Sequence, residues 1–224
     1  MKALIFDSGT LINLSMNGLL NVLEDLKKVF NGKFLITKQV KFETVDRPMG
    51  IQRFELGALR VQNLIDKGIL ELPPSIGIDE EVINKKLQEL MDLANHSLQA
   101  NGKWIKIVSE AETSCLVLSS ELSKRNVENV IAIDERTTRI LAEKPENLEK
   151  LISNKIHQRV QIISKNFDAF ANHKFIRSSE ILYVAYKKNL LGLQGKKVLE
   201  ALLYATKYKG AAISFEEINE LKKL

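Results

Sequence analysis

Met1-Lys2-Ala3-Leu4-Ile5-Phe6-Asp7 opens the chain, and Ser8-Gly9-Thr10 and the apolar pair Leu11-Ile12 follow it. Four apolar residues in a row, then a carboxylate and a glycine-containing turn, predict a buried strand that delivers Asp7 to the rim of a sheet. A charge taken out of water is costly unless a cation or a bound ligand pairs with it. Open α/β sheets bind their ligands at the carboxyl ends of the strands, where Asp7 would sit. A structural Asp capping the next turn is the other reading of the same residue.

Outward from this strand, residues 16–30 place Leu19, Leu20, Leu23, Leu26, Val29 and Phe30 at helical spacing. Phe34-Leu35-Ile36 is a short extended segment, and Thr37 opens a helix that carries Val40 and Glu43. Strand alternating with helix is the start of a parallel α/β sheet. The pattern changes after Asp46-Arg47-Pro48, where two amphipathic helices, 51–66 and 79–100, flank Pro73-Pro74. Residues from about 47 to 103 therefore read as a helical insertion. Alternation returns at 104–108, a helix follows over 111–124, and the strand 127–133 ends in Asp134. A helix over 135–142 and a strand over 160–164 come next, then helices over 178–189, 196–207 and 214–224. Ser214-Phe215-Glu216-Glu217 is a capping box that fixes the start of the last one. The expectation is one α/β domain spanning 1–224, a central parallel sheet flanked by helices, with a helical C-terminal extension from about residue 193.

Hydrophobic content of 45% with 27% charged residues is ordinary globular composition. No apolar run is long enough to cross a bilayer, and the start lacks the long apolar stretch of a signal peptide. The single cysteine, Cys115, excludes an intramolecular disulfide and fits a reducing cytoplasm. One cysteine and three histidines argue against a Cys/His zinc site, so a bound metal would take carboxylates, which favours Mg²⁺ or Mn²⁺. A formal charge of +5 suits a polyanionic partner, and it equally suits a surface of solvated ion pairs.

Two strands thus end in an acid, Asp7 and Asp134, and two helices offer Glu43 and Glu112 near the same edge. Each has a structural alternative. Asp134 could cap the next helix, Glu112 could close a capping box with Ser109, and Glu43 could be a solvated helical charge. A metal site accounts for all four together, since converging carboxylates without a cation repel one another.

These stretches resemble the PIN domains, compact metal-dependent nucleases whose toxin members cleave RNA. IFDSGTLINL looks like the family's opening segment, and ITKQVKFETV like its second, in which a Val and then a Glu lie on a helix. AETSCLVLSSEL is similar to a third, VIAIDERTTRILA to the strand-acid-acid segment, and the tail from Phe175 resembles the final strand and closing helices. The resemblance covers about residues 1–46 and 104–224.

It implies that Asp7, Glu43, Glu112 and Asp134 hold one or two divalent cations, Mg²⁺ or Mn²⁺, with Glu135 as the second acid beside Asp134. It further implies that Ser8 or Thr10 hydrogen-bonds water there, and that Arg136 and Arg139 meet phosphate. Ala111 replaces the usual glycine before the glutamate, and Glu110 offers a competing acid. The implied activity is phosphodiester hydrolysis, as an endoribonuclease acting on RNA. The alternative is a non-catalytic PIN-like protein that binds RNA or a ribonucleoprotein, and the insertion offers surface for a homodimer or protein partner. A haloacid-dehalogenase-like phosphatase is disfavoured, because the second Asp its opening motif requires is replaced by Gly9.

Overall fold

The computed structural model describes residues 1–223, apart from the Lys196 side chain. Strand β1 (Lys2–Phe6) runs into helix α1 (Ser8–Met16) with only Asp7 between them. The expected turn at residues 8–10 is instead the first turn of that helix. Gly9 belongs there because a Cβ would come within 3.2 Å of Asp7 Oδ2. The apolar spacing over 16–30 also divides: Gly18 takes a φ of 69°, and α2 (Asn21–Val29) starts afresh. Then come β2 (Lys33–Leu35) and α3 (Lys38–Lys41), whose N-cap Thr37 accepts from the Val40 amide. Helix α3 widens into a π turn over Phe42–Asp46.

The next helices are α4 (Gln52–Asp66) and α5 (Glu80–Asn95), followed by a short hairpin, β3 (Leu98–Ala100) and β4 (Lys103–Trp104). Helix α6 (Glu110–Lys124) leads to β5 (Glu128–Ala132), α7 (Arg136–Glu143) and α8 (Leu148–Ile156). Strands β6 (Val160–Ile162) and β7 (Phe175–Ile176) precede α9 (Ser178–Lys187), α10 (Lys196–Tyr208) and α11 (Phe215–Leu221). The closing helix was expected to run on to Leu224, which lies outside the described residues.

The central sheet is parallel, in the order β2-β1-β5-β7. Helix α6 packs on β1 and β5, with α3 and α5 against it, while α2 and α9 pack together with α1 and α10. The fold is thus α/β, a four-stranded parallel sheet flanked by helices. The Phe6 ring packs edge-on to Phe34 at 5.3 Å, fixing β1 to β2, and each ring so buried is worth about 1.5–3 kcal/mol.

Three expectations are corrected. The helix predicted over 79–100 stops at Asn95, and Leu98–Ala100 is a strand. The strand predicted over 160–164 does not join the parallel sheet; β6 pairs with β3 in a small antiparallel sheet ordered β4-β3-β6. Of the strand predicted over 104–108 only Trp104 is in a ladder. The Ile107 and Val108 amides donate instead to the Asn95 side-chain oxygen, at 2.8 and 3.2 Å.

Residues 47–103 are built into the main core, where Val61, Leu64, Leu70, Ile83 and Leu87 join the buried residues of the sheet and α6. Glu71 also extends the edge of β2, its amide donating to Phe34 O and its carbonyl accepting from Ile36 N. Its carboxylate takes up Lys33 at 2.7 Å and Lys27 at 3.4 Å. Helices α10 and α11 close a second, smaller core of Leu199, Leu203, Ala211, Ile213 and Ile218. Among the described residues, no helix is long and apolar enough to cross a membrane.

Candidate active site

The parallel register pairs Phe6 with Ala132, and the Asp7 amide donates to Ala132 O at 2.9 Å. Asp7 and Asp134 therefore leave adjacent strands at one carboxyl edge, as the sequence predicts. Their surroundings differ. Asp7 is 2% exposed; Oδ2 accepts from the Gly9 amide at 3.0 Å, and Oδ1 has no hydrogen-bond partner among the described residues. Burial, then the charge of Glu112 and more weakly that of Glu43, pushes the carboxyl up to about 8.

Glu43 lies in the π turn, an irregularity common at functional sites, and accepts from Ser8 Oγ at 2.6 Å. Glu112 rides on the first turn of α6. It is part of a capping box, Oε2 accepting from the Ser109 amide at 2.8 Å while Ser109 Oγ accepts from the Glu112 amide at 3.3 Å. Burial raises its pKa, and the Glu135 charge adds to the rise. Capping and proximity to Asp7 coexist in this residue. Glu110 is exposed, so of the two competing acids it is Glu112 that the fold sets beside Asp7.

Asp134 is saturated differently. Its Oδ1 accepts from the Ser178 amide at 2.8 Å and its Oδ2 from Ser178 Oγ at 2.7 Å, tying β5 to the start of α9. Burial still raises its pKa, against those two hydrogen bonds and the Arg139 charge. Asp134 does not cap α7; Glu135 does, accepting from the Thr138 amide at 2.9 Å and from Thr137 Oγ1 at 2.7 Å. Lys155 approaches Glu135 at 3.4 Å. Arg136 is exposed on the first turn of α7. Arg139 is turned inward, Nη2 donating to Ala212 O at 3.1 Å, and burial together with Arg177 lowers its pKa.

The buried hydroxyls of Thr10 and Ser179 also have no hydrogen-bond partner among the described residues, each lying in the first turn of α1 or α9, while the Thr138 hydroxyl, in the first turn of α7, bears on Glu112 and acts to lower its pKa. Together with Asp7 Oδ1, Thr10 and Ser179 leave unmet hydrogen-bonding capacity on helices that begin at this edge, an arrangement suited to a polar ligand. Among the described residues, no three His, Cys, Asp or Glu side chains are grouped closely enough to hold a metal ion. Ser178 and the Ala212 carbonyl were missed by sequence reasoning. Ser178 carries only a common helix-start residue type, and Ala212 acts through its backbone. No known protein family, characterised protein or solved structure matches the chain, so the chemistry of this edge is read from its own residues.

Proposed function

We propose that the chain is a PIN-like, Mg²⁺- or Mn²⁺-dependent nuclease that hydrolyses phosphodiester bonds, with RNA as its substrate. The observation that carries this is the bare, buried Oδ1 of Asp7, held among carboxylates at the carboxyl edge of a parallel sheet. A buried acid without a partner is costly, and two neighbouring acids raise the cost, so the group fits a cation. Asp7 Oδ1, with Glu43 and Glu112, would hold the ion. Asp134 closes the edge from the next strand, with carboxylate lone pairs left beyond its Ser178 bonds. When bound, a divalent ion held by carboxylates activates water and neutralises charge on the leaving oxygen.

The chain's own residues prepare that chemistry. Ser8 fixes the rotamer of Glu43, and the Ser109 amide fixes Glu112, so both acids are oriented before any ligand arrives. Thr10 supplies a hydroxyl free to hold water or a phosphate oxygen, and Thr138 helps to hold Glu112. Arg136, exposed on the first turn of α7, would meet substrate phosphate. Arg139, bound to Ala212, acts through the long-range field of its charge.

The test is cleavage of a labelled RNA by the parent and by Asp7→Asn, with Mn²⁺. Loss of cleavage in the variant, with fold retained, supports the proposal, and equal rates overturn it. A second reading, a PIN-like RNA-binding protein that does not cut, is favoured by one feature. Each oxygen of Asp134 already accepts a hydrogen bond from Ser178, so this acid is tied into the fold. RNA binding by the parent without cleavage at any Mn²⁺ or Mg²⁺ concentration would select it.

A further inference from the structure

All four tyrosines of the chain, Tyr183, Tyr186, Tyr204 and Tyr208, fall within the helices α9 and α10. Tyr183 and Tyr186 pack against the small C-terminal core with Tyr204, but Tyr208 is 72% exposed. Residues 197, 201, 204 and 208 share one face of α10 at helical spacing, and Tyr204 and Tyr208 stack with centroids 6.2 Å apart and planes at 21°. Phe215, at the start of α11, continues the array 6.1 Å from Tyr204. The Lys207 ammonium covers one Phe215 face at 4.3 Å. Lys197 and Lys209 flank the array, exposed and without an ion pair among the described residues, while the acid Glu200 is paired with Lys222 at 2.5 Å.

An exposed aromatic ring at the end of a stack, between unpaired lysines, has one surplus capacity: to stack a flat group whose backbone is anionic. Nucleobases on a single strand meet that description, because a duplex keeps its bases stacked on each other. The array also leads to the acidic edge. Four residues beyond Tyr208, the Ala212 amide donates to Asp134 O at 3.1 Å, and its carbonyl accepts from Arg139 and from Arg177 at 3.0 Å. Asn13 of α1 further ties α10 down, donating to Thr206 O at 2.9 Å.

We infer that the Tyr204–Tyr208 face of α10, with Lys197 and Lys209, is a stacking platform for single-stranded nucleic acid that leads the strand to the carboxylate edge. Its direction rests on the nuclease proposal, but its test does not. The full chain in EDTA is titrated against a fluorescein-labelled oligoadenylate and against the same sequence in duplex form, by fluorescence anisotropy. The expected result is tighter binding of the single strand, weakened about tenfold or more by Tyr208→Ala and restored by Tyr208→Phe. Lys209→Ala should flatten the salt dependence of binding. Because Tyr208 is exposed, its substitution leaves the fold standing, which a melting curve checks.

Unchanged affinity in Tyr208→Ala, or equal binding of single strand and duplex, overturns the inference and leaves the aromatic face to a protein partner. A chain that binds the single strand through Tyr208 yet cuts no RNA sustains the platform and defeats the nuclease proposal. A chain that cuts RNA regardless of Tyr208 does the reverse.

Discussion

Asp7 and Asp134 are the same residue type, at the ends of neighbouring parallel strands, and the fold treats them in opposite ways. Asp134 spends both oxygens on Ser178 and so fastens β5 to α9. Asp7 spends one oxygen on its own helix and leaves the other buried and bare, with Glu112 and Glu43 beside it. Position at a sheet edge does not make a carboxylate functional. What separates the two is how far each has been satisfied by the protein itself, since an acid already compensated gains less from a ligand.

The largest expected effect is on turnover. Asp7→Asn should lower RNA cleavage by about a thousandfold or more, about 4 kcal/mol of transition-state stabilisation, in a single-turnover assay. Next comes the pH dependence of stability without added metal. The folded-state pKa of Asp7 is about 8, above its unfolded value near 4, so its contribution is whole below about pH 4 and is lost as pH rises through 8. Urea midpoints of the parent should fall across that window, and those of Asp7→Asn should be flatter.

Asp134→Ala should behave in the opposite sense. It strands the buried amide and hydroxyl of Ser178 and should cost about 2–4 kcal/mol in urea unfolding at neutral pH with EDTA present. A smaller effect separates the two duties of Glu112. Ser109→Ala removes the cap of α6, costing about 1 kcal/mol by thermal melting, while leaving the Glu112 carboxylate beside Asp7.

The comparison was half legible in the sequence. The apolar run ending in Asp7, the strand ending in Asp134 and the Ser109–Glu112 spacing are local patterns, and each appears where the pattern predicts. The partners that distinguish the two acids are not local. Ser178 reaches Asp134 across 44 residues, and Ser8 reaches Glu43 across 35, so neither bond leaves a periodicity to read. The same reason hid the small antiparallel sheet, because three-residue strands 60 residues apart have too few side chains to show alternation. Leu98 is buried and fits the stripe of the helix before it, which made the strand look like more helix.

The most direct measurement is the melting temperature of the parent and of Asp7→Asn, each with EDTA and with Mn²⁺. An ion at a hundred times its dissociation constant adds about 2.7 kcal/mol, or roughly 5–10 °C for a chain of this size. That rise is expected in the parent, and its loss in Asp7→Asn. An equal rise in both, or none in the parent, would contradict a metal site at Asp7.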